Sequence, residues 1–194
     1  ELLKAAELHP EAGILGAKVY YSDRSNTIWY AGARRRRAVL AAASTGRNQV
    51  DLGQFNRLQK VDYIFGAAML IRRTVFDQIG LFDERFFLYL EDLDFCIRAQ
   101  QAGFTLLFVP QAHVWHEGSA STAQLLATRR YHMARSTMHF LRKHTSYGQG
   151  WLILLFWVLV YLRDISLDLM HGDVSIVKAY LAGLLTGLKD GFEN

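Results

Sequence analysis

The sequence is poor in three things that usually constrain a chain of this size. Cysteine occurs once, as Cys96, which excludes an intramolecular disulfide framework and suits a reducing compartment. Proline occurs twice, as Pro10 and Pro110, so few backbone breaks are forced. Acidic residues are missing from positions 118–162, a span that holds Arg129, Arg130, Arg135, Arg142 and Lys143. Nor is there an apolar run of the roughly 20 residues that a spanning helix requires. The sequence has no GxxxxGK[ST] phosphate loop, GxSxG elbow, HExxH pair or CxxC pair. The remainder is ordinary: 194 residues, 51% hydrophobic and 21% charged, enough for a domain with a core and too apolar for a disordered tail. With a net charge of only +4, the placement of charge matters more than its sum.

The chain opens with Glu1-Leu2-Leu3-Lys4-Ala5-Ala6-Glu7-Leu8, which reads as the middle or end of a helix. No secretory leader pattern begins it, and we read the sequence as a piece of a longer chain. Ala12–Tyr21 reads as a buried strand bounded by Pro10 and Ser22-Asp23, and 27–30 as a second, short one. Residues 32–56 are small and polar and read as a long loop. A strand is expected over 62–71, interrupted at Gly66-Ala67-Ala68. A short helix over 74–79 would be capped by Thr74 and stopped by Gly80. Residues 86–90 read as extended, and 91–102 as the clearest helix, stopped by Gly103. Strands over 104–109, ended by Pro110, and over 112–115 follow. Ser119 or Ser121 would then cap a long helix reaching about His144. Strands and helices alternate, so the expected class is α/β.

Two apolar stretches close the chain. Residues 151–162 are twelve uninterrupted apolar side chains that run into Arg163 and Asp164. In the second, Val177, Tyr180, Leu181, Leu184, Leu185 and Leu188 share one helical face, with Lys178 and Lys189 toward the other. Such helices either pack on the domain or lie in a membrane interface beside the basic helix. The crowding of Trp151, Phe156, Trp157 and Tyr161 favours the interface.

Chemistry concentrates in two places. Glu91, Asp92 and Asp94 stand at the start of a predicted helix, where acids commonly complement the helix dipole. That dipole also favours an ionised carboxylate, which suits a general base. Adjacent carboxylates on a helix diverge by about 100°, a poor arrangement for hydrolysing one glycosidic bond. His113 and His116 lie in a short strand, on opposite faces by alternation, and a neutral imidazole is a ligand for Mn²⁺-type cations. The run Arg34-Arg35-Arg36-Arg37 reads as a solvated loop segment. No aromatics interleave it, so nucleic acid is not an expected partner.

In order along the chain come His9-Pro10-Glu11-Ala12-Gly13-Ile14-Leu15-Gly16, Ile28-Trp29-Tyr30-Ala31-Gly32, and Asp51-Leu52-Gly53-Gln54-Phe55. Gly66-Ala67-Ala68-Met69-Leu70-Ile71-Arg72-Arg73, Gly80-Leu81-Phe82-Asp83-Glu84, Tyr89-Leu90-Glu91-Asp92-Leu93-Asp94-Phe95 and His116 with Gly118-Ser119-Ala120-Ser121 follow. Over about residues 1–145 this set resembles the C-terminal half of a family 2 glycosyltransferase of the GT-A fold, with rhamnosyl- and galactofuranosyl-type transferases as its nearest look-alikes. The resemblance implies a partial GT-A nucleotide-diphospho-sugar transferase fold with C-terminal amphipathic helices. Residues 1–118 would be the acceptor-side half of the catalytic domain, and 119–194 a membrane-associating basic helix with two apolar helices. It implies that Asp92 is the general base and that Glu91 sets local charge or binds acceptor. Gly66 and Ala67 would lie beneath the sugars, with Asp94 also on the substrate side. His116 would join an Asp-x-Asp motif, expected before Glu1, in holding Mn²⁺ or Mg²⁺. The implied activity is inverting transfer from a nucleotide-diphosphate sugar to a glycan or lipid-linked acceptor in cell-surface glycan synthesis. The chain alone would be inactive. The processive-synthase pattern Gln-x-x-Arg-Trp is missing after the acidic pair, which implies transfer of one or a few sugars. The expected location is the cytoplasmic face of the cell membrane, held peripherally on an anionic surface, with homo-oligomer formation left open. The competing reading is a non-catalytic membrane-docking or assembly module.

Overall fold

The computed structural model describes residues 1–36, 41–117, 126–145, 150–170 and 173–190. They group into two compact units. One holds residues 1–35, 42–83 and 92–118, the other 36–41, 84–91 and 119–194.

In the first unit, α1 (Leu2–Leu8) leads into β1 (Ala12–Tyr21). There follow β2 (Ile28–Tyr30), β3 (Ala33–Arg36), β4 (Ala41–Ser44), β5 (Gln59–Lys60), β6 (Met69–Ile71), α2 (Arg73–Ile79), α3 (Glu91–Gln101) and β7 (Thr105–His116). The α/β class expected from the alternation of strands and helices is the class observed. Nine of the ten β1 residues are buried, as a near-continuous apolar run requires of a central strand. β7 pairs parallel along one edge of β1, and β5 pairs antiparallel with β7. On the other edge, β6 covers the first part of β1 and β2 the last part, both antiparallel. Ile14, Val19, Tyr30, Ile64, Phe95 and Phe108 are fully or almost fully buried in the main core. Gly16 is needed there because a Cβ would run into the Ile64 side chain.

Several local expectations are corrected. Residues 32–56 are not all loop, since β3 and β4 pair as a separate two-stranded sheet. The small side chains of Ala41-Ala42-Ala43-Ser44 offer no alternation by which to read a strand. Residues 62–65 are not a strand, and a single 3-10 turn spans Gly66–Ala68. The Ile64 N–H goes to Cys96 Sγ on α3, at 3.5 Å, instead of to a ladder. Thr74 does not cap α2. Arg72 holds that position, with its guanidinium donating to the carbonyls of Ala6, His9 and Ala12. Pro110 does not end a strand. β7 continues to His116 past a bulge, because the register steps from Ala17↔Val109 to Lys18↔His113. A bulge tolerates the missing proline N–H. Gly80 and Gly103 stop α2 and α3 as expected, with φ of 76° and 93°.

The second unit contains segment 84–91 and three helices: α4 (Leu126–His144), α5 (Gly150–Met170) and α6 (Val174–Lys189). Residues 86–90 are not extended. Tyr89 and Leu90 both take left-handed φ, 69° and 70°, which costs a non-glycine residue about 1–2 kcal/mol each. The segment is held by Phe86, buried against His139 and Phe140, and by Ser136 Oγ donating to the Leu88 carbonyl at 2.8 Å. The apolar face expected on α6 is divided between packing and exposure. Ile176, Val177, Tyr180, Gly183 and Gly187 are buried, whereas Leu181, Leu185 and Leu188 are exposed. A Cβ at Gly183 or Gly187 would run into the carbonyls of Tyr131 or Arg135, so the two glycines let α6 approach the α4 backbone.

The cations of α4 are not all turned outward. Arg130 pairs with Asp164 at 3.2 Å and with Asp168 at 3.1 Å, both on α5. Arg135 pairs with Asp190 at 2.7 Å, and Arg142 donates to the carbonyls of Gly187 and Leu188 at the end of α6. The acids missing from 118–162 are supplied by the later helices. The serines proposed as caps for α4 lie outside the described residues, as do Gly118 and Arg37. No described helix is long and apolar enough to cross a membrane, and α5 carries Arg163, Asp164 and Asp168.

Candidate active site

Asp92 is in the first turn of α3, 8% exposed. Its Oδ2 accepts the Tyr63 hydroxyl at 2.6 Å and the Gly66 N–H at 2.9 Å. Its Oδ1 accepts the N–H of Leu93 at 2.8 Å. Burial pushes the carboxyl above the ordinary aspartate range, and the three donors pull in the other direction without cancelling it. The result is an oriented carboxylate of raised basicity, which is what a proton acceptor needs.

The shelf beside it is built by 63–68. Tyr63 is itself fixed through its carbonyl, which accepts the Tyr30 hydroxyl at 2.5 Å. One helical turn along α3, Cys96 takes the Ile64 N–H and returns its thiol proton to the Ile64 carbonyl at 3.7 Å. Burial pushes that thiol up, so Cys96 is a neutral packing group. Gly66, next to the carboxylate, and Ala67 after it are exposed. A Cβ at position 66 would sit 3.1 Å from Asp92 Oδ2, so only glycine leaves this carboxylate where it is.

Asp94 is a correction. It is fully buried and pairs with Arg98 at 2.8 Å. Arg98 in turn donates to the carbonyls of Ile79 and Leu81, joining α3 to the end of α2. With no exposed surface, Asp94 is placed to hold α3 against the end of α2 rather than on the exposed shelf. Glu91 precedes Asp92 in the same helical turn and is half-buried.

His116, at the end of β7, lies edge-on to Trp29 with ring centroids 4.6 Å apart, and against Phe65 at 5.9 Å. Consecutive residues thus connect the two sites, Phe65 touching His116 and Gly66 donating to Asp92. His116 Nδ1 is buried with no hydrogen-bond partner among the described residues. An unpartnered imidazole nitrogen fits a metal ligand. It is one donor only, because among the described residues no three His, Cys, Asp or Glu side chains converge. His113 is exposed and packs its edge on Tyr20.

Sequence reasoning missed the partners Tyr63, Trp29 and Phe65, and it missed a second polar network. Lys18 is fully buried in β1 and donates to Asp51 at 2.8 Å and Asn56 at 2.6 Å, while Tyr20 donates to Asp51 at 2.5 Å. Burial alone would raise the Asp51 carboxyl, but the donors Lys18, Tyr20 and the Gly53 N–H bring it down to about 2. The signal was a lysine inside an otherwise apolar strand, which requires a buried acid elsewhere.

Comparison with known proteins places these residues in a family context. Residues 1–188 match the family model described as glycosyl transferase family group 2. The N-acetylglucosaminyl-diphospho-decaprenol L-rhamnosyltransferase of Mycobacterium tuberculosis is 33% identical over 166 residues, covering 77% of this chain and 51% of the relative. Rhamnosyltransferase WbbL of Escherichia coli is 33% identical over 84 residues, covering 43% of this chain and 31% of the relative. The low-salt glycan biosynthesis hexosyltransferase Agl10 of Haloferax volcanii is 39% identical over 54 residues, or 28% and 18% of the two chains. The chain spans about half the length of the first of these relatives. Its mixed sheet and surrounding helices are consistent with a partial GT-A fold.

Proposed function

The chain belongs to glycosyl transferase family group 2, and from that premise we propose that it serves inverting transfer of a rhamnosyl or related hexosyl group, with Asp92 as the general base. The observation that carries the reading is the Asp92 carboxylate, oriented by Tyr63 and Gly66 beside an exposed shelf of small residues. The donor is a nucleotide-diphosphate sugar and the acceptor a hydroxyl of a glycan or lipid-linked saccharide in cell-surface glycan synthesis. Asp92 takes the proton of the acceptor hydroxyl. The freed oxygen pair forms the new bond to the anomeric carbon, and the bond from that carbon to the diphosphate breaks with its electrons leaving on the nucleotide. Attack opposite the leaving group inverts the centre. Gly66 and Ala67 leave room for the sugars, and Glu91 adds negative charge at the start of α3. A bound Mn²⁺ or Mg²⁺ would neutralise charge on the diphosphate. His116 would supply one ligand through Nδ1. The proposed place of action is the cytoplasmic face of the cell membrane.

The test is Asp92→Asn in the full-length transferase that contains this chain. Transfer should fall by about 10²- to 10⁴-fold with donor affinity retained. Turnover close to that of the unmodified enzyme overturns the assignment.

A further inference from the structure

The acids and the leucines of α5 and α6 face different ways. Leu152, Leu155, Leu159 and Leu162 on α5, and Leu181, Leu185 and Leu188 on α6, recur at steps of three and four and are each 41–59% exposed. The opposite faces are buried, with Ile153, Tyr161 and Asp168 on α5 and Ile176, Tyr180 and Gly183 on α6. Tyr161 packs against Tyr180 at 5.1 Å, so the two helices are neighbours within one unit. Soluble surfaces rarely carry so much leucine on adjoining helices.

The charges sort in the same way. Asp164 and Asp168 turn to Arg130, and Asp190 turns to Arg135. Arg163, Lys178 and Lys189 are exposed, and among the described residues of α5, α6 and their connection Asp173 is the one exposed acid. The arginines of α4 therefore neutralise the acids that would repel an anionic surface, and the exposed side keeps leucine with a cationic fringe.

We propose that the exposed faces of α5 and α6 dock into the headgroup layer of an anionic phospholipid membrane, with both helices lying in its plane. This narrows the expected contact from all three helices to the two that follow α4, whose arginines are engaged by acids. Charge complementarity selects lipid over a second copy of the chain, since an isologous dimer through these faces would bring the three cations of each copy together. The inference deepens the proposed membrane-side setting but does not depend on the role of Asp92, so the two tests fail separately.

The experiment is cosedimentation of the full-length protein with phosphatidylcholine vesicles, with and without phosphatidylglycerol, at low and high salt. Binding is expected only with phosphatidylglycerol and should weaken with salt. Leu155→Glu/Leu159→Glu and Leu181→Glu/Leu185→Glu should each reduce partitioning about tenfold or more. Lys178→Glu/Lys189→Glu should remove the preference for the anionic lipid. A second measurement does not rely on the glutamate variants folding. Cys96 is buried, so a polarity-sensitive dye attached through Leu159→Cys should report transfer to an apolar medium on the anionic vesicles, and one attached through Leu52→Cys should not. Absence of binding at low salt, or an unchanged dye signal at 159, overturns the proposal. So does a dimer that the leucine variants dissociate while vesicle binding stays at background.

Discussion

Tyr63 and Asp92 are 29 residues apart in the chain, and the phenol of the first donates to Oδ2 of the second at 2.6 Å. The bond lowers a carboxyl that burial has raised, and it fixes the direction in which the carboxylate presents its free lone pairs. Tyr63→Phe removes one stabiliser of the ionised form, so the aspartate titrates at higher pH still. The acid limb of kcat/KM against pH for the full-length transferase should move upward, with activity reduced at pH values below it. An unmoved limb would mean that Asp92 does not govern that ionisation.

Gly66→Ala tests the carboxylate's position without touching its chemistry. The added methyl would lie 3.1 Å from Oδ2 and 3.3 Å from the Asp92 Cβ, inside comfortable contact distance. The carboxylate must shift by a few tenths of an ångström. Turnover should drop by about tenfold or more, because small misplacements of reacting groups are costly. The melting temperature should change little, since the residue is exposed. Loss of stability with turnover per folded molecule unchanged would contradict this.

The Lys18–Asp51 pair predicts an acid-sensitive first unit. The folded-state pKa of Asp51, about 2, lies below its ordinary value of 3.8, so the pair's contribution is complete above the ordinary value and is lost as pH falls toward 2. Asp51→Leu strands a fully buried ammonium and should cost about 3–5 kcal/mol in denaturant unfolding. Lys18→Met combined with Asp51→Leu should recover a large part of that loss. Additive losses in the double variant would show that the two residues do not act as a pair.

Gly183→Leu should destabilise the helical unit selectively. Its side chain has no place to go, because even a Cβ meets the Tyr131 carbonyl. Overpacking of this kind costs about 1–3 kcal/mol, and more where backbone blocks relief. Hydrogen exchange should quicken in α4 and α6 while β1 and β7 stay protected. Leu185→Ala, on the exposed face of the same helix, should leave exchange in α4 unchanged.

Much of the fold follows from sequence because its signals are local. The run from Ala12 to Tyr21 is apolar without alternation, and such a run can only be a strand buried on both faces, as β1 is. Gly80 and Gly103 stop their helices because left-handed φ is cheap for glycine alone. The acidic residues at the start of α3 mark the helix and the candidate proton acceptor together, and the order of motifs around them marks the family. Other features have at most part of a local signal. Arg98, four residues on, offers Asp94 a partner that Asp92 lacks, but tertiary packing decides that this pair is turned inward while Asp92 is left beside Gly66. The charges of α4 show the same limit. A stretch without acids looks like a cationic surface until α5 and α6 fold back and supply Asp164, Asp168 and Asp190. Composition determined which charges exist, but the partner of each charge was decided by contacts between residues 34 to 55 positions apart, because electrostatic pairing acts through space and not along the chain.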